Sequence, residues 1–434
     1  MNFLLDSDSY KYSHFLQYPK NSGLFSYIEA RVGEDIRFFG LQYILKTMFS
    51  KMFTKEDIKE AKEIIEAHGL VFNEKGFNDL LSLGYFPLKI KALKEGLVYP
   101  SSIPLVSIQS TDDRFGWLVS FIETALLRVW YPTTVASNSY KAREIIKKYT
   151  KNTAFKLHDF GSRGVSSSES AMIGGMAHLL NFRGTDTAIA LLGARKYYNA
   201  NIAGFSIPAM EHSTVTSWSK EEDAFSNMLN VFAKNGAMLA CVSDSYDYIN
   251  AVDNIWGVEL KEKVIKSGAT IVIRPDSGDP LELIPYTLNS LAKNFGFTLT
   301  NDGKLLNNIR IIWGDGINFV MIDKILSLIT KEGWSADNVN FGMGATLLQK
   351  VNRDTYSFAY KASAIKIDKK WRGICKNPKT DPNKKSKSGR IGVELVGEKY
   401  IVKDLDKDKF DNELKTVFLN GDLKVDYKFE DIAD

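Results

Sequence analysis

Short apolar runs recur along this chain, and most of them end alike. Residues 270–273, TIVI, break into Arg274, Pro275, Asp276, Ser277, Gly278, Asp279 and Pro280. Residues 154–159, AFKLHD, run into Phe160, Gly161, Ser162, Arg163 and Gly164. Residues 237–242, AMLACV, lead to Ser243-Asp244-Ser245, and residues 309–313, IRIIW, lead to Gly314-Asp315-Gly316. Residues 339–341, VNF, lead to Gly342-Met343-Gly344. Gly184-Thr185-Asp186 and Phe205-Ser206-Ile207-Pro208 read as two further pieces of this kind. β-Branched apolar runs predict buried strands, and Pro or Gly ends each one with its charged groups at the C-terminal tip. One such tip is an ordinary charged turn. A series of them, separated by helical lengths of chain, predicts an α/β barrel of parallel strands, where chemistry sits at the strand ends.

The longer, helical period fills the rest. Thr54 with Asp57, the stripe Ile58, Ala61, Ile64 and Ile65, and Gly69 predict a capped helix over 54–69. Residues 115–130 read as a buried helix and 137–149 as a more basic one. Residues 88–94 alternate apolar and basic, and with 97–99 and 103–108 predict a small antiparallel sheet ahead of the barrel. Ser166-Ser167-Ser168-Glu169 opens a small-residue helix over 169–180, an N-terminus suited to an anion. The domain boundary is predicted near Lys151-Asn152-Thr153. From Lys366 to Arg390 the chain turns basic and loop-like, a solvated surface or a lid over polyphosphate.

Composition narrows the class. The chain has 434 residues, 44% hydrophobic and 25% charged, as in a soluble globular protein. A net charge of +4 is too small to argue for nucleic acid. Cys241 and Cys375 form no C-x-x-C pair, which fits a reducing compartment rather than a disulfide scaffold or zinc site. The start lacks a basic region and no apolar run approaches the ~20 residues of a membrane span, so a cytoplasmic protein is expected. G-x-x-x-x-G-K-[ST] and G-x-G-x-x-G are absent, against a P-loop or Rossmann enzyme.

On the predicted strand-end face stand Asp186, Asp244, Asp276, Asp279 and Asp315, with Arg163, Arg274 and glycine turns. Basic turns cradle phosphate, and carboxylates hold ribose hydroxyls or hydrated magnesium, so a phosphorylated sugar is the expected substrate. The pattern leaves phosphoribosyl transfer, sugar-phosphate isomerisation and aldol chemistry open. His212 lies at a strand-to-helix turn between Glu211 and the hydroxyls of Ser213 and Thr214. Seen alone it would be a capping or packing histidine; its place in the series moves it to the site.

These motifs carry a resemblance. DSYKYSH (8–14), HDFGSRG (158–164), GTDT (184–187), PAMEHST (208–214), SDSYD (243–247), IRPDSGDP (273–280), GDG (314–316), FGMG (341–344), LLQKVNRD (347–354) and DPNKKSKSGR (381–390) occur in the order of the nicotinate/nicotinamide phosphoribosyltransferase family, and closely resemble its nicotinamide members. The resemblance implies an irregular parallel (β/α) barrel of the type II phosphoribosyltransferase kind over 153–390. It implies an additional α+β domain from residues 1–152, with 391–434 packing back on it. It implies phosphoribosyl transfer from 5-phosphoribosyl diphosphate to nicotinamide, with Mg2+ on the diphosphate, held in part by Asp276 or Asp279. ATP is implied as co-substrate through a phosphohistidine at His212, which Asp244 and Glu211 would orient.

The implied pyridine sandwich is Phe160 with Tyr10 of the partner in a homodimer. Asp186 would accept the carboxamide N–H and repel nicotinate. Arg163 and Arg274 would contact amide or phosphate, and Asp276 and Asp315 the ribose. Arg353, Lys361, Lys376 and Lys384 match the basic positions that grip phosphates; Asp8, Ser206, Gly314 and Gly344 complete the expected substrate contacts. The glycine cluster is thinner than the family's, with Ala345 following Gly344. The N-terminal segment after Arg31 is shorter than in animal members, which points to a bacterial or viral source. A nicotinate-using enzyme and a non-catalytic binding or signalling protein are the alternatives.

Overall fold

The computed structural model describes residues 2–380 and 385–434. The chain divides into two compact units. The first comprises Met1–Ser137, Ala194–Ala200 and Val351–Ala433; the second comprises Asn138–Gly193, Asn201–Lys350 and Asp434.

The first unit is built on a seven-stranded antiparallel sheet. Its strands run in the order Lys370–Gly373, Ala359–Ile367, Gly23–Glu29, Val106–Ser110, Leu88–Ala92, Lys415–Leu419 and Asp422–Leu423. The strand Gly23–Glu29 lies inside the sheet and is buried along its whole length. It pairs with Ala359–Ile367 from Gly23 opposite Lys366 to Glu29 opposite Ala359. That pairing takes residues 351–390 into the first unit, not into the barrel where the sequence placed them. The chain crosses between units at 137/138 and 350/351, against the expected 152/153 and 390/391. The first crossing falls inside one continuous helix, Trp130–Lys147, where no local signal marks it. Ala194–Ala200 joins the first unit because Tyr198 stacks on Phe39, centroids 5.0 Å apart, and donates to buried Glu95 at 2.8 Å.

Local expectations hold with three changes. Helix Lys55–Ala67 carries the Thr54/Asp57 capping box. Leu88–Ala92 and Val106–Ser110 pair antiparallel as expected, but Val98–Tyr99 pairs with Ile36–Arg37 in a separate two-stranded sheet. The apolar run 115–130 steps through short helices, Gly116–Phe121 and Glu123–Leu127, before Trp130–Lys147 begins. Lys366 and Ile367 end a strand that turns at Asp368 and Lys369, both with positive φ, into Lys370–Gly373.

The second unit is the predicted barrel. Six strands form one parallel sheet in the order Gly184–Thr185, Leu157–Asp159, Val339–Met343, Ile309–Trp313, Thr270–Arg274 and Met238–Val242. Buried apolar side chains such as Leu157, Leu239, Ile271, Ile273, Ile311 and Phe341 run through them, as strands covered on both faces require. The segment 205–210 closes the curled sheet without forming a regular strand. Phe205 bridges to Gly184 on one edge and Ala209 bridges to Ala240 on the other. Thr185 N donates to Phe205 O at 3.0 Å, and Ala240 N to Pro208 O at 2.9 Å. Helix Ser168–Leu179 starts at Ser167, which accepts from Ser170 N as the capping pattern predicted. Among the described residues no helix is long and apolar enough to cross a membrane.

Candidate active site

Phe160 follows the strand Leu157–Asp159, and its N–H donates to Met343 O at 3.0 Å. Its ring lies where Gly342 has no side chain. A Cβ on Gly342 would stand 1.9 Å from the ring, and one on Gly314 would stand 3.3 Å from it. Two glycines of the predicted series therefore act as a seat for the phenylalanine. Beside it, a cavity of about 260 Å³ enters the barrel, with Val272, Ala240, Ile312 and Ile207 among its walls. An open cleft of about 530 Å³ lies next to it, lined by Arg163, Glu211, His212 and Asp276 among others. Phe160, Asp186 and Arg274 border both spaces. An apolar slot for a flat ring thus opens onto a polar cleft for charged groups.

Asp186 is exposed at this junction and accepts a hydrogen bond from Ser206 Oγ at 2.5 Å. Ser206 belongs to the closing segment, so barrel closure fixes the direction of the carboxylate. Behind it, buried Asp159 joins two turns. Its carboxylate accepts from Gly161 N at 2.7 Å and from Thr185 Oγ1 at 3.3 Å, and its carbonyl accepts from Asp186 N at 3.0 Å. Burial pushes the Asp159 carboxyl up and holds the neighbouring His158 imidazole below its usual range. Arg274 ends its strand half-buried, and its Nε has no acceptor among the described residues.

His212 opens the short helix His212–Thr216. Its Nδ1 lies 3.2 Å from Ser245 Oγ, and its Nε2 lies 3.7 Å from Asp276 Oδ2 and 3.9 Å from Asp244 Oδ1. Asp244 ties two strand ends together, since its Oδ2 accepts from Asp276 N at 2.9 Å and Ser277 Oγ at 2.5 Å. Glu211, expected to orient the histidine, instead caps its helix and accepts from Ser213 Oγ. The imidazole has one ring nitrogen toward a hydroxyl and the other toward two carboxylates and the cleft. That arrangement suits a nucleophilic or proton-carrying Nε2.

The other predicted positions divide. Asp279 is the N-cap of Pro280–Phe295, with Oδ1 on Leu281 N at 2.8 Å, which leaves Asp276 as the freer carboxylate for a cation. Among the described residues no three His, Cys, Asp or Glu side chains form a metal cage. Asp276, an exposed carboxylate lining the cleft, is an oxygen donor of the kind a hydrated magnesium takes. Asp315 is exposed at the tip of Ile309–Trp313, and its carbonyl accepts from Trp313 Nε1 at 2.8 Å. Gly344 precedes Ala345–Leu348. A Cβ on Gly164 would lie 2.9 Å from the Ala345 Cβ, so Gly164 gives that methyl its room.

Asp8, Tyr10, Arg353, Lys361 and Lys376 belong to the first unit. Asp8 accepts from Thr124 Oγ1 at 2.8 Å, and the Tyr10 ring is 58% exposed, free to meet another surface. Arg353 pairs with Asp354 at 2.9 Å. Lys361 sits half-buried on Ala359–Ile367, where burial lowers its pKa, and Lys376 is exposed. Lys384 lies outside the described residues.

Comparison with known proteins gives these positions a family. Residues 155–422 match the nicotinate phosphoribosyltransferase (NAPRTase) family, and residues 2–90 match the nicotinamide phosphoribosyltransferase N-terminal domain. A nicotinamide phosphoribosyltransferase of Xanthomonas campestris pv. campestris is 46% identical over 99% of this chain and 97% of its own length. The chain belongs to the nicotinate/nicotinamide phosphoribosyltransferase family. A nicotinamide phosphoribosyltransferase of Mycoplasma genitalium is 34% identical over 89% of this chain and 94% of its own.

Two solved structures share the fold at low identity. The nicotinate-nucleotide pyrophosphorylase of Pyrococcus furiosus has a TM-score of 0.62 at 16% identity, covering 99% of this chain and 94% of its own. Human nicotinic acid phosphoribosyltransferase has a TM-score of 0.61 at 14% identity, covering 98% and 91%. The expected type II phosphoribosyltransferase fold with an additional domain is thereby established.

Within this phosphoribosyltransferase frame, sequence reasoning found the strand-end residues and missed two that hold them, Ser245 and Asp159, as well as the buried Glu221. Ser245 was visible in the SDSYD motif and lacked only a partner. Asp159 stood inside HDFG as a strand residue. Glu221 gave no signal, being one of three acids at the start of Glu221–Phe232.

Proposed function

We propose that this chain transfers the 5-phosphoribosyl group from 5-phosphoribosyl 1-diphosphate to nicotinamide, forming nicotinamide mononucleotide and diphosphate in NAD salvage. The observation that carries this reading is Asp186, held by Ser206 at the mouth of an apolar slot beside Phe160. A carboxylate there accepts an N–H from a carboxamide and repels the carboxylate of nicotinate. Phe160 offers one face for stacking, and Tyr10 of a partner subunit offers the other.

The pyridine nitrogen gives its lone pair to C1 of the ribose as the C1–O bond breaks, and that bonding pair leaves with diphosphate. The protein positions the two reactants and stabilises charge. Arg163 and Arg274 bring positive charge to the cleft, and Asp276 faces the sugar. Magnesium bound with the diphosphate would draw charge from the leaving group, and Asp276 is the carboxylate placed to reach it. For Asp315, Gly314 and Gly344, and for Arg353, Lys361, Lys376 and Lys384, the proposed sugar and phosphate roles rest on the motif match.

His212 is proposed to take a phosphoryl group from ATP on Nε2, with its proton on Nδ1 toward Ser245. A cytoplasmic location accords with Cys241 and Cys375 being free thiols. The test is product analysis of the purified chain with 5-phosphoribosyl diphosphate, magnesium and either base, with and without ATP. Mononucleotide from nicotinamide, faster with ATP, is the expected result. Product from nicotinate alone would overturn the base assignment. No product from either base would favour a binding protein.

A further inference from the structure

We infer that Glu221 is a positioning residue for the His212 station: a carboxyl that holds a proton behind Asp244 and so sets the charge beside the imidazole. Its functional consequence rests on the phosphohistidine reading above.

Glu221 begins the helix Glu221–Phe232 and is only 7% exposed. One turn later, Phe225 stacks on Trp256 with centroids 4.7 Å apart and planes at 22°. Trp256 Nε1 donates to Ser243 Oγ at 3.1 Å. These contacts pin the start of the helix to the turn that carries Asp244. Glu221 Oε1 is buried with no hydrogen-bond partner among the described residues, and so is Asp244 Oδ1. A buried carboxylate oxygen without a donor is costly, and a proton on the Glu221 carboxyl removes the cost of burying its charge.

Asp244 already accepts two hydrogen bonds on its other oxygen, which leaves Glu221 to carry that proton. The charges that raise the Glu221 carboxyl are Asp244, Glu222 and Asp247, and Glu222 itself meets the neighbouring Lys220 at 3.5 Å. Burial and these charges push its carboxyl up to about 7. The other titratable groups of the station are His212, whose Nε2 lies 3.9 Å from Asp244 Oδ1, and Asp276, whose Oδ2 lies 3.7 Å from the same nitrogen. A neutral Glu221 adds no charge there. An ionised one adds a further negative charge to those of Asp244 and Asp276 near a histidine that must accept a phosphoryl group.

The experiment uses the full chain and Glu221→Gln, which keeps the shape and removes the titration. Infrared pH-difference spectra should show a carboxylic C=O band that appears in the wild type as pH falls through about 7 and is missing in Glu221→Gln. From pH 6 to pH 8 the protonated fraction falls roughly tenfold, and the ATP-stimulated rate should fall with it in the wild type and stay level in the variant. Glu221→Asp, which retains a carboxyl, should restore the slope. Absence of the band in the wild type, or the same band and slope in Glu221→Gln, would overturn the inference. If ATP stimulates nothing, the phosphohistidine reading fails by itself, and the infrared band still decides on Glu221.

Discussion

Replacing Gly342 with alanine drives a methyl into the Phe160 ring. The added Cβ would lie 1.9, 2.2 and 2.8 Å from three ring atoms, where ordinary contact begins near 3.4 Å. The ring must therefore move by about 1.5 Å, since the backbone of Val339–Met343 is held by strands on both sides. Overpacking of this kind costs about 1–3 kcal/mol, and a displaced ring loses a stacking contact of about 0.5–1.5 kcal/mol. Because the ring borders open space, it can yield, so the loss should fall mainly on base binding. The expected result is a nicotinamide KM raised about 10- to 100-fold, with Tm lowered by only a few degrees. Steady-state kinetics at saturating 5-phosphoribosyl diphosphate, with melting curves, measure both. In a Phe160→Ala background, Gly342→Ala should add almost nothing, because the colliding ring is gone. An unchanged KM in Gly342→Ala, or full additivity in the double variant, would refute the seat.

Three further outcomes follow from the same geometry. Ser245→Ala removes the only hydrogen-bond partner found at His212 Nδ1 among the described residues, and should cut ATP stimulation about 5- to 10-fold while leaving the ATP-free rate unchanged. His178 is buried against Ser139 and Leu157 O, and burial lowers its pKa to about 4. Its folded pKa lies below the usual 6.5, so the unfolded chain binds the extra proton as pH falls; stability should be full above pH 6.5 and drop by about 3 kcal/mol toward pH 4, less steeply in His178→Gln by urea unfolding. Mixing Tyr10→Ala with His212→Ala chains should restore up to roughly a quarter of wild-type activity if subunits share sites, and none if they do not.

The strand ends were legible because each couples a local break, Pro or Gly, to a charge that has no use in a core. Phe160, Asp186, His212, Asp244, Asp276 and Arg274 were found on that pattern with the family motifs. The closing segment 205–210 was read only as a strand-like piece, because it makes single bridges on each side rather than a ladder. The return of Ala359–Ile367 to Gly23–Glu29 was hidden, since pairing across more than 300 residues leaves no local trace. The partnership of Ser245 with His212 is likewise tertiary. Gly342 was read only as part of the family's glycine cluster, while its missing Cβ serves the Phe160 ring. Asp279 looked like a metal ligand and is a helix cap, a role that uses the same residue type at the same place.

The central claim is that Asp186 chooses the base. It is tested most directly by the ratio of kcat/KM for nicotinamide to that for nicotinate, in the wild type and in Asp186→Asn. A like charge facing nicotinate costs several kcal/mol, so the wild-type ratio should exceed about 100. Asp186→Asn, which removes the charge and keeps the shape, should bring the ratio down at least tenfold, chiefly by admitting nicotinate. A wild-type ratio below one, or a ratio that Asp186→Asn leaves unchanged, would contradict the account.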